Sequence, residues 1–491
     1  MRVLIVAPSD RGVRDHKLFW GYDYIRQIES VPAANPYPTY PLSLPLLGAM
    51  TKHHIPDAHV VLIDENVDQV PAEADFDVAA ISATTFVAPR VYELAGLLKS
   101  HGVREVVVGG VHATHFLEEV QKCAWVDRII LGRADGGRTW FKVLDDIREG
   151  RRNRVYGGAV CGPSSFFTDC PPAFGLLKLD GYMYRNLQIS RGCPYACTFC
   201  VDRCTPEAVK PREVVFREVE ALRAAEGDNH RSLFFVDNLL DRSEPLLHAI
   251  MDILSNLPRA SGADNRWTGQ ASWDVAGKED FLTVAATSGA RALLIGFESL
   301  SIKALRRIGK ARRLPPSVET NIQLKAFCRQ VISRVQSYGI EVVPSFMMGI
   351  PGDDSSPDDL IDFVEDTGVC TPHITIWTPL PGTPDFDGLR KGDGLLYMNP
   401  NGVPLYDWSK FDFSTPVCRD NASEVEANYW RVLQSVYERK KALRRVHRFV
   451  SMVERLPAIK RSPGEAVSSA LLAMNFNDMA YSPGVRNKKP P

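Results

Sequence analysis

Three cysteines in one short run, Cys193, Cys197 and Cys200 of ISRGCPYACTFC, constrain this chain of 491 residues more than any other feature. Their Cys-x3-Cys-x2-Cys spacing puts three thiolates in a single tight loop. Gly192 and Pro194 around the first of them suit irregular backbone wrapped about a bound group. Thiolates hold iron-sulfur clusters, ordinarily four to a cluster, so three leave one iron open. Zinc sites prefer paired Cys-x2-Cys units, which the run lacks. Cys204 is the one nearby candidate for a fourth ligand and is expected to be a bystander. Cys123, Cys161, Cys170, Cys328, Cys370 and Cys418 are scattered, so no auxiliary cluster is expected.

The chain is long enough for two or three domains, and 45% hydrophobic with 24% charged residues is ordinary for a globular protein. A formal net charge of -1 gives no global attraction to nucleic acid, so no nucleic-acid partner is expected. No apolar run approaches the roughly 20 residues of a membrane span, and MRVLIVAPSD reads as a strand without a signal-peptide charge layout. A cytoplasmic protein is expected. That compartment keeps thiols reduced, so ten cysteines fit free or metal-bound groups better than disulfides.

Short apolar runs recur at Val3–Ala7, Val60–Ile63, Val78–Ser82, Glu105–Val108 and Arg128–Leu131. Between them, Val91, Leu94, Ala95 and Leu98 fall at helical spacing. This pattern predicts an α/β, doubly wound, Rossmann-like domain over residues 1–150, whose ligands lie beyond the carboxyl ends of the strands. Ser82, Thr84 and Thr85 follow the third strand there, and Gly109, Gly110 and His112 follow the fourth. Residues 151–185, rich in Gly, Pro and Ser, read as a linker.

Strands are next predicted at Leu187–Ser190, leading straight into the cysteine loop, and at Ser232–Val236, Arg266–Gly269, Ala292–Gly296, Val342–Met348 and Ile374–Trp377. Six strands with intervening helices predict a partial (β/α)6 barrel over 186–390, with functional groups at strand carboxyl ends. Asp237 and Asn238 stand at such an end, as do Glu298 and Ser299, then Gly349, Pro351 and Gly352, then Pro379, Pro381 and Gly382. Residues 391–491 read as a mainly helical extension forming a lid. Ala427–Val450 reads as largely helical, and a helix there carries Arg439, Lys440, Lys441, Arg444, Arg445 and Arg448, either as a solvated face or as a contact for an anionic substrate or a peripheral membrane surface. The tail Ser482–Pro491 is expected to be disordered.

The cysteine run, with aromatic Phe199 directly before its last cysteine, resembles the signature of the radical S-adenosylmethionine (SAM) superfamily. There the open iron of a 4Fe-4S cluster chelates the amino and carboxylate groups of SAM. The succession ISATT, VVVGGVHAT and VDRIILG upstream resembles the cobalamin-binding domain of the cobalamin-dependent radical SAM class, and the likeness runs to about residue 390. Two departures stand out. No Asp-x-His-x-x-Gly motif occurs, so His112 is not expected to bind cobalt; and Gly132 is followed by RADGG where the class often has Gly-Glu-Gly-Glu.

The resemblance implies cluster ligation by Cys193, Cys197 and Cys200. It implies SAM contacts at Phe199, Gln270, Glu298, Ser299 and Gly349, and cobalamin contacts at Ser82, Thr84, Thr85, Gly109, Gly110, His112 and Gly132. Asp237 and Trp273 are expected to meet substrate, Asp237 alternatively capping the next helix. The implied activity is C-methylation of a small natural-product or lipid intermediate at an unactivated carbon, through a 5'-deoxyadenosyl radical. An external donor such as flavodoxin or ferredoxin supplies the electron. Rival readings are a cyclase, ring-contraction or rearrangement enzyme with the same cofactors, and a non-catalytic iron-sulfur or zinc protein closed by Cys204.

Overall fold

The computed structural model describes residues 1–10, 39–71, 75–158, 166–227, 231–242, 250–251, 254, 266–400 and 402–456; Cys161 and the tail Ser482–Pro491 lie outside the described residues. The first domain runs β1 (Arg2–Ala7), α1 (Ser43–His54), β2 (His59–Asp64), β3 (Val78–Ser82), α2 (Ala88–Ser100), β4 (Glu105–Gly109), α3 (Val111–His115), α4 (Leu117–Lys122), β5 (Arg128–Leu131), α5 (Thr139–Arg148) and β6 (Val155–Gly157). Its sheet is parallel throughout, in the order β2-β1-β3-β4-β5-β6.

The unbroken apolar run of β1 follows from burial on both faces. Val3 and Ile5 pack with Leu44 and Met50 of α1 and Trp140 and Leu144 of α5. Leu4 and Val6 pack with Val91, Leu94 and Leu98 of α2. Helices therefore cover both faces, as the doubly wound reading requires, and the strand order reverses between β1 and β3.

The segment expected as a linker is part of the structure. It supplies β6, and Phe167, Phe174 and Tyr182 within it are buried. The Tyr182 hydroxyl donates to Asp64 at 3.0 Å, tying the approach to the barrel to the end of β2.

The second sheet is also parallel and six-stranded. It begins with β7 (Arg185–Leu187), which is followed by an antiparallel hairpin, β8 (Ser190–Cys193) and β9 (Thr205–Val209), outside the sheet. Then come α6 (Arg212–Glu226), β10 (Leu233–Phe235), β11 (Trp267–Ala271), α7 (Glu279–Thr287), β12 (Ala290–Glu298), α8 (Ile302–Arg307), α9 (Asn321–Gln336), β13 (Glu341–Met348), α10 (Pro357–Thr367) and β14 (His373–Ile376). The order β7-β10-β11-β12-β13-β14 is that of an open (β/α)6 barrel. The first barrel strand thus ends earlier than predicted, and the cysteine loop grows from the hairpin instead.

Beyond the barrel, α11 (Pro384–Lys391), α12 (Ala422–Val436) and α13 (Arg439–Val453) complete the described fold. The helical stretch expected over Ala427–Val450 is divided between two helices, α12 and α13. Arg445, counted among the surface cations, is fully buried: it donates to the carbonyls of Val369 and Val436 and pairs with Glu365. Arg448 donates to the Glu365 carbonyl. These bonds fasten α13 to the end of α10, so the basic helix packs against the barrel, while other residues of the extension, Cys418, Glu424 and Val425 among them, line the cavity at the barrel's strand ends. Among the described residues no helix is long and apolar enough to cross a membrane.

Candidate functional site

The cysteine loop spans the turn of the β8–β9 hairpin, and Gly192 makes that hairpin possible. Its φ is +96°, and a Cβ there would lie 2.1 Å from the Pro206 carbonyl oxygen, so only glycine fits the bulge just before Cys193. The Cys193 amide donates to Thr205 Oγ1 at 2.9 Å. Further along the loop, the Thr198 amide donates to the Ile308 carbonyl at 3.0 Å and its hydroxyl donates to Asp385, which also pairs with Arg307. Both ends of the loop and its middle are thereby fixed.

Cys193, Cys197 and Cys200 are half-buried, while Cys204 is exposed with a φ of +53°. Burial pushes all three thiols up, Cys200 to about 12; Arg313 and Arg242 oppose it at Cys193, and Lys310 opposes it at Cys197. These cations offset the negative charge that three thiolates bring. Among the described residues no three Cys, His, Asp or Glu side chains converge as a single metal ion demands. A cluster instead gives thiolates separate irons, and three thiols on one braced loop amid cations fit that group.

A cavity of about 350 Å³ opens at the carboxyl ends of β12 and β13, lined by Glu298, Ser299 and Gly349 together with Glu424, Val425 and Asn428 of α12. Glu298 has a φ of +69°, rare for a side-chain-bearing residue. The turn brings its Oε1 to 2.6 Å from Lys310 Nζ, which also donates to the Gly296 carbonyl at 2.7 Å. A Cβ on Gly296 would lie 2.3 Å from Oε1 and 2.8 Å from Nζ, so a larger residue there would push the pair aside. Lys310 engages Oε1 and leaves Oε2 for a ligand hydroxyl or ammonium, a charge-assisted contact. Ser299 donates to Asp353 at 2.8 Å and accepts from the Ser301 amide.

A second cavity, of about 420 Å³, lies between the carboxyl ends of the first sheet and the hairpin. Ser82, Gly109, Gly110 and Gly132 line it, facing Arg191, Asp202 and Thr205. A Cβ on Gly110, φ +112°, would lie 2.5 Å from the Ala83 carbonyl. Thr114 locks the neighbouring loop, accepting from the Gly132 amide and donating to the Gly110 carbonyl, both at 2.8 Å.

Several expected residues are placed elsewhere. His112 is fully buried and turned away from the cavity, its Nε2 within 3.0 Å of the Tyr92 hydroxyl and 3.3 Å of Glu119. Thr85 is buried at the entry to α2 and Thr84 is exposed; neither lines the cavity. Asp237 is fully buried and accepts from the backbone amides of Ile189 and Ser190, burial raising its pKa to about 6. It braces the hairpin and does not meet substrate. Trp273 is buried between Phe327 and the cations Lys310 and Arg313. Gln270 and Phe199 line neither cavity; Phe199 packs against the barrel core, and the Gln270 carbonyl accepts from Leu240.

Sequence reasoning missed Lys310, Arg313, Arg242 and His115. The run KALRRIGKARR was a visible signal for the first two. His115 lines the cavity of the first domain while its ring abuts Gly382 of the barrel mouth. Burial holds its pKa below the usual imidazole range, against the pull of Asp387. Arg191 on β8 pairs with Asp135 after β5 at 2.6 Å, both buried. The RADGG departure therefore places its acid against the hairpin.

No family model matches the chain. It is 26% identical over 419 residues to the bacteriochlorophyllide d C-8(2)-methyltransferase of Chlorobaculum tepidum, covering 81% of this chain and 85% of that one. It is 25% identical over 388 residues to the bacteriochlorophyllide d C-12(1)-methyltransferase of the same organism, covering 76% of each. Among solved structures, the cobalamin-dependent S-adenosylmethionine radical enzyme OxsB with aqua-cobalamin bound matches with a TM-score of 0.61 at 17% identity, over 97% of this chain and 76% of that one.

Proposed function

We propose that this chain, which has the fold of the cobalamin-dependent radical SAM enzymes, is a radical SAM C-methyltransferase acting on a small natural-product or lipid intermediate. The reading is supported by the hairpin that carries the three cysteines: its Arg191, Asp202 and Thr205 line one cavity, and Lys310 and Glu298, the latter lining another cavity, act electrostatically on Cys197. One is lined by Glu298, Ser299 and Gly349, the other by Ser82, Gly109, Gly110 and Gly132. Cys193, Cys197 and Cys200 would hold a 4Fe-4S cluster, the first cavity SAM and the second cobalamin. When bound, these groups supply one-electron cleavage of SAM and methyl transfer; the protein positions them and shields them from water. Glu298 would offer Oε2 to the ribose or amino group of SAM, and Gly349, which adopts φ +82° without a Cβ penalty, would leave room for the nucleoside. The methyltransferase relatives, which by name act at carbons of bacteriochlorophyllide d, support a carbon acceptor.

The test is anaerobic reconstitution with iron, sulfide and hydroxocobalamin, followed by SAM and dithionite. Deoxyadenosine should accumulate, and S-adenosylhomocysteine should appear only when cobalamin is supplied. Cys200→Ala should abolish both products, whereas Cys204→Ser should retain them. Deoxyadenosine without any cobalamin-dependent S-adenosylhomocysteine would reject the methyltransferase reading.

A further inference from the structure

We infer that Arg133 anchors the phosphodiester of cobalamin, gripping it with a guanidinium where the cobalamin-dependent radical SAM class often has a glutamate. The inference deepens the function proposed above and rests on its cobalamin reading.

Arg133 lines the cavity of the first domain, in the loop that leaves β5. The backbone of that loop is held on both sides of it. The Gly132 amide donates to Thr114 at 2.8 Å, the Gly136 amide donates to the Arg133 carbonyl at 3.2 Å, and the Trp140 amide donates to the Ala134 carbonyl at 2.9 Å. The side chain, by contrast, is exposed and has no ion pair, hydrogen bond or ring contact among the described residues. The other charges that line this cavity are already engaged. Arg191 pairs with Asp135 at 2.6 Å, and Asp202 accepts from Asn238 at 2.9 Å. His115, its pKa held down by burial, adds no second cation at neutral pH. Arg133 is therefore the charge at this cavity that still needs a partner, and its planar fork matches two oxygens of a phosphate.

The walls of the cavity say which anion fits. Arg191, Asp202 and Thr205 make one wall polar, whereas Ile5, Leu46, Leu47, Ile130 and Trp140 line an apolar part. Those five belong to or pack on the same core cluster as Ala134, the residue next to Arg133. The cation thus stands where the polar wall gives way to the apolar one. Cobalamin presents its groups in the same order: a corrin rimmed with neutral amides, one phosphodiester, then a ribose bearing an apolar aromatic base. A substrate carboxylate would satisfy Arg133 but leave the apolar part of the cavity unfilled.

The experiment titrates the reconstituted full chain, Arg133→Gln and Arg133→Lys with hydroxocobalamin and with aquacobinamide, which lacks the phosphate, ribose and base. Binding is read from corrinoid absorbance and from the corrinoid retained on gel filtration. Arg133→Gln should weaken hydroxocobalamin binding about tenfold or more, and Arg133→Lys should recover part of that loss. Cobinamide affinity should stay within about twofold of the parent's in both variants. Unchanged hydroxocobalamin affinity in Arg133→Gln overturns the assignment, as does an equal loss for the two corrinoids, which would place the effect on the shape of the cavity. If the parent chain binds neither corrinoid, the cobalamin reading itself fails and the role of Arg133 with it.

Discussion

Lys310 holds its ammonium against Glu298 and the Gly296 carbonyl, with side chains 8% and 10% exposed, so neither charge is relieved by water. Removing one partner of such a pair strands the other, at about 3–5 kcal/mol, far more than the net worth of the pair itself. Lys310→Met should therefore lower the denaturation midpoint sharply. Adding Glu298→Gln to it should recover most of the loss, while SAM affinity stays weak because Oε1 is no longer held. Denaturant titration of both variants checks this, and a double variant as unstable as Lys310→Met would contradict it. Residue identity at strand ends was legible in the sequence, but direction was not. Glu298, Ser299 and Gly349 do share a cavity, whereas Asp237 and Trp273 point inward to brace backbone and cations. A polar residue after a strand looks the same in sequence whether it faces ligand or the protein's own amides.

The β8–β9 hairpin is the element on which the site depends. Its entry is held by the Asp237 carboxylate, which accepts from two successive amides at Ile189 and Ser190, and its bulge by Gly192. Asp237→Ala leaves those buried donors unsatisfied, about 1–3 kcal/mol for each. The expected outcome is a folded chain that retains less iron after reconstitution, read from iron content and the visible absorbance of the cluster. Asp237→Asn, which keeps an acceptor oxygen, should fall between. Unchanged iron content in Asp237→Ala would remove the hairpin from this role. The barrel strands were legible because parallel strands buried on both faces leave unbroken apolar runs. The hairpin was not, since Gly192 and Pro194 read as loop and its strands are short and partly polar. Three-residue β6 fell inside Gly- and Pro-rich sequence for the same reason.

Across the whole molecule, the segment after the barrel acts as a strap joining the two domains. Phe386, Tyr406, Trp408 and Phe411 form one apolar cluster with Ala88 of α2 and Phe116 beside α4. Inside it, Glu119 accepts from Trp408 Nε1 at 2.9 Å, from the Leu405 amide at 3.1 Å and from the Tyr92 hydroxyl at 2.7 Å. Burial raises the Glu119 pKa, but hydrogen bonds from His112, Tyr92 and Trp408 outweigh it and hold the carboxyl below its usual range. The contacts span up to 289 residues of sequence, which no local pattern reveals. They also explain His112, whose ring belongs to this strap and not to the cavity beside Gly110. Because the strap grips the loop that presents Gly109 and Gly110, loosening it should act on the cavity of the first domain before the cysteine loop. Glu119→Ala should therefore lose bound cobalamin on gel filtration after loading, while dithionite-driven deoxyadenosine formation falls much less. Iron content should stay near that of the parent chain. A variant that keeps its cobalamin but loses its iron would place the strap's effect on the barrel instead.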